Sequence, residues 1–149
     1  MNMEIRYKST RGDGTLISAS QAVLQGLAPD GGLYVPEFIP SLDVDLQELA
    51  AMDYQQIAFL VMSKFLGDYT DEELKDCIAH AYDAKFDTPE IAPVVRKGQA
   101  FYMELFHGAT IAFKDMALSI LPHLMIKAAR KNQITEEIVI LTATSGDTG

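Results

Sequence analysis

The residues of this chain best suited to chemistry lie in its last third. Lys114 follows three apolar side chains, Ile111, Ala112 and Phe113, at the expected start of a helix. An apolar neighbourhood disfavours the ammonium form of a lysine and frees the neutral amine to attack an aldehyde. On pattern alone, however, a lysine in this place is more often a solvated helix residue. A close Asp115 carboxylate would favour the charged lysine, unless Asp115 binds backbone amides at the helix start.

A second candidate site is the loop that ends the sequence. It comprises Ser145, Gly146, Asp147, Thr148 and Gly149. The loop follows residues 138–141, whose apolar and β-branched side chains predict a buried strand, and open α/β sheets bind ligands at the carboxyl ends of their strands. Ordinary turns use the same residue types. The second glycine and the Lys-Ser/Thr pair of a P-loop are missing, so a nucleotide site has little support.

The histidines and the single cysteine are weaker candidates for functional residues. His107 either contacts a ligand near Lys114 or is a loop histidine satisfied by a backbone partner. No spacing of histidine and cysteine suggests a metal site. Cys77 falls on an apolar helical face, which favours a small buried side chain over a reactive thiol. One cysteine permits no disulfide within the chain and fits a reducing compartment.

The elements of the first ninety residues are predicted to be largely helical. Ser18 with Gln21 and Thr70 with Glu73 are capping-box pairs, which predict helices over about residues 19–24 and 71–84. Asp53 predicts a helix over residues 54–66. We therefore expect residues 1–90 to form an N-terminal region of helices and small strands.

The pattern changes after residue 90. Residues 94–95 and 101–105 are predicted to be extended, and apolar residues at spacings of three and four predict one long helix over residues 115–131, kinked at Pro122. With the strand at 138–141, this order predicts a parallel βαβ unit. We expect an α/β fold in which residues 91–149 begin a three-layer α/β domain that is incomplete at Gly149.

Composition and charge narrow the classes of protein. A 48% hydrophobic and 22% charged chain is typical of a soluble globular protein. The net charge of −9 disfavours nucleic acid and anionic membrane surfaces as partners. No window reaches the roughly 18 apolar residues of a membrane span, and the start lacks the apolar run of a signal peptide. The sequence therefore predicts a cytoplasmic protein.

Three blocks of sequence carry a resemblance to a known family. They are residues 26–36 (GLAPDGGLYVP), residues 106–115 (FHGATIAFKD) and residues 144–149 (TSGDTG). In this order and spacing they resemble the N-terminal part of the threonine synthases, and the first block separates these from other lyases of the same fold. Family members often have proline where this chain has Ala109. This difference affects the stiffness of the loop more than its chemistry.

The resemblance implies a cofactor and a reaction. It implies pyridoxal 5'-phosphate (PLP), bound in the fold shared by tryptophan synthase β chains and serine or threonine dehydratases. Lys114 matches the lysine that binds the cofactor aldehyde and serves as catalytic base. Ser145, Gly146, Asp147, Thr148 and Gly149 match the loop that holds anionic groups of the substrate. The implied carbon–oxygen lyase reaction converts O-phospho-L-homoserine and water into L-threonine and phosphate.

The abrupt end of the sequence leads to further expectations. We expect an N-terminal fragment that is inactive alone, because the family grips the cofactor with parts of the chain beyond residue 149. Two alternatives stay open: a threonine-synthase-like phospho-lyase that makes no threonine, and a non-catalytic binding or interaction module with the same architecture. Because an uncovered apolar sheet tends to find a partner, either self-association or a disordered tail near Gly149 is also expected.

Overall fold

A two-stranded ribbon and a tight turn begin the fold. The structure is a computed structural model that describes residues 5–144 and Gly146. Strand β1 (Tyr7–Ser9) pairs antiparallel with β2 (Tyr34–Pro36). In the turn before β2, the Asp30 carboxylate accepts bonds from the Ser9 hydroxyl at 2.7 and 2.9 Å and from the Gly32 amide at 2.9 Å. A Cβ on Gly32 would lie 2.1 Å from the Ser9 hydroxyl oxygen, so only glycine fits this turn.

Four helices follow, and three of them begin at caps predicted from the sequence. They are α1 (Ala19–Gln25), α2 (Leu46–Ala50), α3 (Tyr54–Phe65) and α4 (Asp71–Ala81). The capping boxes at Ser18 and Thr70 are both formed, and the Asp53 carboxylate accepts the Gln56 amide at the start of α3. Each satisfies backbone amides that the first helical turn leaves without a partner. Helix α4 ends three residues before the expected position.

The region after residue 90 contains a hairpin and two helices. Strand β3 (Val94–Lys97) pairs antiparallel with β4 (Ala100–Met103) across a turn in which Gly98 has a φ of +63°. Helices α5 (Asp115–Leu118) and α6 (Leu121–Lys131) replace the single helix expected over residues 115–131. The expected kink is wrong because Pro122 lies in the first turn of α6, where its missing N–H leaves no helical bond unmade.

The expected parallel βαβ unit is not formed in the described part of the chain. Both sheets there are antiparallel pairs, and residues 138–141 adopt no strand. A strand requires a neighbour for its backbone N–H and C=O groups, and the β3–β4 hairpin pairs with itself. Leu141 is 92% exposed, so the segment is not packed as a buried strand. The mixed helix-and-strand character is confirmed; the three-layer arrangement is not seen.

The core joins the helices of both regions. It is built from side chains of α1, α4 and α6 and of the segment between α4 and β3, and its buried members include Ala19, Leu74, Cys77, Ile78, Ala81, Phe86, Ile91, Leu124 and Ala128. Cys77 is fully buried, as expected for a small apolar side chain, and burial raises the pKa of its thiol. Within the residues described, no helix is long and apolar enough to cross a membrane.

Two tyrosine hydroxyls tie the α4 side of the core to the last two helices. Tyr82 donates to the Met116 carbonyl of α5 at 2.8 Å, and Tyr69 donates to the Leu124 carbonyl of α6 at 3.1 Å. Burial raises the pKa of both hydroxyls, which keeps them protonated as donors. These contacts fix where α5 begins relative to the core, and therefore where Lys114 lies.

Candidate functional site

Lys114 lies at the edge of an open apolar cavity. It is the residue directly before α5 and is half-buried. The cavity, about 660 Å³ in volume, is lined on the other sides by apolar and aromatic side chains of α3, β4 and α5 and of the segments after β4 and before α5, including Tyr54, Ile57, Met103, Leu105, Phe113 and Met116. Among the described residues that line it, Lys114 has the only charged side chain. Of the three apolar residues considered from the sequence, Phe113 lines the cavity, whereas Ile111 is 73% exposed.

The Asp115 carboxylate is turned toward the preceding loop. Asp115 is 6% exposed, and its Oδ2 accepts the Thr110 amide at 2.8 Å. Its Oδ1 accepts the Thr110 hydroxyl at 2.6 Å. Both oxygens therefore bind within the loop, as the second interpretation of Asp115 from the sequence requires. The carboxylate closes residues 110–115 into a rigid turn that carries Lys114.

The loop before α5 is tightly folded, and we call residues 106–114 the Lys114 loop. Gly108 packs on the Asp115 side chain so closely that a Cβ would lie 2.5 Å from both the Asp115 Cβ and Oδ2. Ile111 has a φ of +63°, a conformation that β-branched residues rarely adopt, and its amide donates to the Gly108 carbonyl at 3.1 Å. The conformation of the Lys114 loop therefore depends on Gly108, on the Asp115 side chain and on the strained backbone of Ile111.

His107 is held by two carboxylates. Its Nδ1 lies 2.5 Å from the Asp87 Oδ1, and its Nε2 lies 3.0 Å from the Glu104 Oε2. The His107 carbonyl accepts a hydrogen bond from the Asp87 amide at 3.0 Å. The Phe106 ring stacks on the His107 imidazole, with the two ring centroids 4.6 Å apart. The hydrogen bond to Glu104, which has the larger effect, and the hydrogen bond to Asp87 both raise the pKa of the imidazole. The side chain thus has carboxylate partners, not the backbone partner considered from the sequence.

Sequence reasoning missed these two acidic residues for different reasons. Glu104 is three residues from His107 but lies just after β4, where sequence spacing does not fix side-chain direction. Asp87 is twenty residues away, and its place beside His107 depends on the turn between α4 and β3. The only indication in the sequence was the position of His107 in the block that contains Lys114.

The terminal loop is described at one position. Gly146 is exposed, has a φ of +118°, and its amide lies 3.1 Å from the Thr144 hydroxyl. No atom lies within 4 Å of where its Cβ would be, so no other described part of the chain crowds it. Ser145, Asp147, Thr148 and Gly149, the other expected substrate-binding residues, lie outside the described residues.

Comparison with known sequences and structures decides the family. The sequence profile described as threonine synthase N terminus matches residues 6–82, which is just over half of the chain. The chain belongs to the threonine synthase N-terminus family. The matched residues contain the ribbon, the Asp30 turn and helices α1 to α4. The family assignment therefore rests on the region before the Lys114 loop.

Relatives of this threonine synthase N-terminus chain extend over nearly all of it. It is 41% identical over 150 residues to a threonine synthase of Pseudomonas aeruginosa, covering 97% of this chain and 31% of that protein. It is 37% identical over 150 residues to threonine synthase-like 2 of Xenopus laevis, with the same two coverages. A crystal structure of PLP-bound threonine synthase from Brucella melitensis matches with a TM-score of 0.77 and 31% identity, covering 87% of this chain and 28% of that one. The chain thus spans about a third of the length of its relatives.

Proposed function

We propose that this chain is the N-terminal part of a threonine synthase, which converts O-phospho-L-homoserine and water into L-threonine and phosphate. The observation that carries the proposal is the Lys114 amine, half-buried at the edge of an apolar cavity in a chain of this family. The PLP bound by the Brucella melitensis relative supports the choice of cofactor. A lysine amine in an apolar place is suited to bond an aldehyde.

The described residues fit part of the proposed cofactor. The Lys114 amine suits its aldehyde, and the apolar wall formed by Tyr54, Leu105 and Phe113 suits an aromatic ring. Among the lining residues that are described, no second cation is available for the phosphate. The phosphate and the ring nitrogen would therefore be held by other parts of a longer protein. When bound, this cofactor withdraws electrons from the carbon atoms of an attached amino acid.

In the proposed reaction, the main role of this chain is proton transfer by the Lys114 amine. The neutral Lys114 amine removes the Cα proton of the substrate and returns protons at later steps, while phosphate leaves from Cγ and water adds at Cβ. The Asp115 carboxylate, bound to Thr110, keeps Lys114 at a fixed position on the loop. The apolar side chains beside Lys114 offer a surface against which the carbon chain of the substrate can pack.

The finer structural expectations are proposals for a longer protein. We infer that residues 138–141 pair as a strand with a neighbour outside this chain, completing a parallel βαβ unit in a three-layer domain that starts near residue 91. Residues 1–90 would remain the N-terminal region. Ser145, Gly146, Asp147, Thr148 and Gly149 would then follow a strand end and bind the anionic groups of the substrate. A cytoplasmic location is proposed from the lone, buried Cys77.

Exposed apolar side chains support the proposed self-association of the isolated chain. Phe101 is 69% exposed on β4, and Met103 and Val139 are also exposed. Exposed apolar side chains of this kind tend to be covered by a partner. Sedimentation velocity over a hundredfold range of concentration tests this. A sedimentation coefficient that does not change with concentration and fits a monomer would contradict it.

The experiment for the proposed function compares the 149-residue chain with the product of the complete reading frame. Each is incubated with PLP, reduced with borohydride and digested, and the peptide containing Lys114 is weighed. We expect one pyridoxyl phosphate group on Lys114 in the longer protein and substoichiometric labelling of the short chain. Lys114→Arg should abolish labelling and activity, whereas Lys64→Arg, a control on α3, should change neither. Stoichiometric labelling of a different lysine would overturn the assignment.

The products distinguish the remaining alternatives. The longer protein is given O-phospho-L-homoserine, and threonine, 2-oxobutyrate and phosphate are measured. Threonine with equal phosphate supports the proposal, while 2-oxobutyrate with phosphate identifies a phospho-lyase. No turnover and no bound PLP would identify a non-catalytic binding module. The comparable identity of this chain to the Xenopus laevis threonine synthase-like 2 makes this assay necessary.

A further inference from the structure

His107 forms a clasp between two parts of the chain, the turn after α4 and the segment that follows β4. We use the name His107 clasp for His107, Asp87 and Glu104. One ring nitrogen faces the Asp87 carboxylate, in the turn between α4 and β3, and the other faces the Glu104 carboxylate, just after β4. A neutral imidazole has one N–H and donates only one bond, whereas the imidazolium donates two. The geometry therefore requires a doubly protonated His107 if both carboxylates are ionised.

The clasp is mechanically connected to Lys114. His107 is followed by Gly108, whose backbone rests on the buried Asp115 carboxylate. Asp115 in turn receives both bonds from Thr110 and directly follows Lys114. The Asp87 amide also binds the His107 carbonyl, so the start of the loop is fixed by its backbone and its side chain. A movement of His107 would therefore displace Gly108 from Asp115 and loosen the turn that carries Lys114.

We propose that His107, as an imidazolium, is a positioning residue that holds the Lys114 loop against the Asp87 turn and the end of β4. Its importance for catalysis rests on the proposed function, but the holding of the loop does not. The groups that face His107 are the carboxylates of Asp87 and Glu104, with Glu90 as a further nearby negative charge. All three favour the cation, so the clasp loosens when His107 loses its proton.

The dependence on pH has a definite sign. Bonds to the two carboxylates raise the pKa of His107 above its ordinary value of about 6.5. The contribution of the clasp is therefore complete below about pH 6.5 and is lost as the pH rises through the raised pKa. Over that range, the Lys114 loop becomes less ordered while the core, which contains no part of the clasp, stays folded.

The test uses NMR and hydrogen exchange on the 149-residue chain, without cofactor or substrate. The ring resonances of His107 are titrated, with His80 and His123 in the same spectra as references. We expect a His107 midpoint above about 6.5, and protection of the Thr110 amide that falls about tenfold as the pH passes that midpoint, after correction for intrinsic exchange. In His107→Gln, protection should be low at every pH and show no step. The control His80→Gln should match the wild type.

Three outcomes would overturn the proposal: a His107 midpoint at or below about 6.5, Thr110 protection without a pH step, or full protection in His107→Gln. If His107→Gln does not fold, Asp87→Asn serves instead, because it keeps the ring and removes one carboxylate; it should lower the midpoint. A separate measurement follows borohydride labelling of Lys114 in the longer protein. Failure of labelling in the wild type would refute the proposed function but not the proposal that His107 holds the Lys114 loop.

Discussion

Replacing Gly108 by alanine tests the packing that supports Lys114. The added methyl group would lie 2.5 Å from the Asp115 Cβ and Oδ2, closer than any real Cβ contact. Because Asp115 is 6% exposed, its side chain has little room to retreat. Either the Lys114 loop moves away or the carboxylate turns, and in both cases the bonds from Thr110 at 2.8 and 2.6 Å are broken or stretched.

The expected loss of stability follows from these contacts. A hydrogen bond to a charged acceptor contributes about 1.5–3 kcal/mol, and overpacking costs about 1–3 kcal/mol. A movement of the Asp115 side chain relieves part of the overpacking but weakens its hydrogen bonds from Thr110, so the two costs do not add in full. We therefore expect Gly108→Ala to lower the free energy of unfolding by about 3 kcal/mol. Urea denaturation followed by far-ultraviolet circular dichroism measures it.

Gly98→Ala is the matched control for this experiment. Gly98 has a φ of +63° in the β3–β4 turn, and no atom lies within 4 Å of its Cβ position. Its replacement therefore incurs only the conformational strain of a left-handed residue, about 1 kcal/mol. Thr110→Val should also be less harmful after Gly108→Ala than alone, because the same hydroxyl bond is already disturbed. A loss at Gly108 no larger than that at Gly98 would refute the reasoning.

Three further predictions concern the N-terminal region. Leu74→Ala, at a side chain 1% exposed, should lower the free energy of unfolding by about 2–5 kcal/mol in urea denaturation. Thr70→Ala removes the acceptor of the Glu73 amide and should lower it by about 1 kcal/mol, with loss of exchange protection in the first turn of α4. The Ser9 hydroxyl and the Gly32 amide lower the pKa of Asp30, so Asp30→Asn should reduce the urea midpoint near neutral pH, and this difference should shrink as the pH falls through that lowered pKa.

Each of these predictions has an outcome that contradicts it. A Leu74→Ala loss below about 1 kcal/mol would mean that the core around α4 is not tightly packed. If Thr70→Ser, which keeps the hydroxyl, is as harmful as Thr70→Ala, the cap is not the cause. A difference between Asp30→Asn and the wild type that is constant down to the lowest pH measured would exclude the carboxylate charge as its origin.

Local interactions explain which elements were predictable. The starts of α1, α3 and α4 follow from Ser18, Asp53 and Thr70, because a cap involves residues only three positions apart. The end of α4 lies three residues before the expected position, since a helix end depends on what the chain contacts next. Apolar periodicity indicated the core face of α4, including Cys77, because helical spacing alone fixes a face.

Non-local interactions explain what the sequence did not reveal. The periodicity of residues 115–131 continues across Ser119 and Ile120, so it could not show that α5 and α6 are separate. Pro122 indicated a disturbance, but its role as a helix start depends on where the chain bends. A strand at 138–141 depends on a neighbouring strand, and the carboxylates around His107 depend on the turn that contains Asp87. The proposed role of Lys114 depends on its place among the three sequence blocks.

The interruption between α5 and α6 gives one stretch of sequence two separate attachments to the core. Tyr82 is hydrogen-bonded to α5 through Met116, while Tyr69 is hydrogen-bonded to α6 through Leu124. Removing one hydroxyl therefore acts first on the helix that it holds, and the other helix is reached through Ile120, whose amide donates to the Ala117 carbonyl at 3.3 Å and whose carbonyl accepts the Leu124 amide at 3.1 Å. A substitution deep in the core at Tyr82 can thus alter the short helix that follows Lys114, while α6 keeps its own attachment to the core.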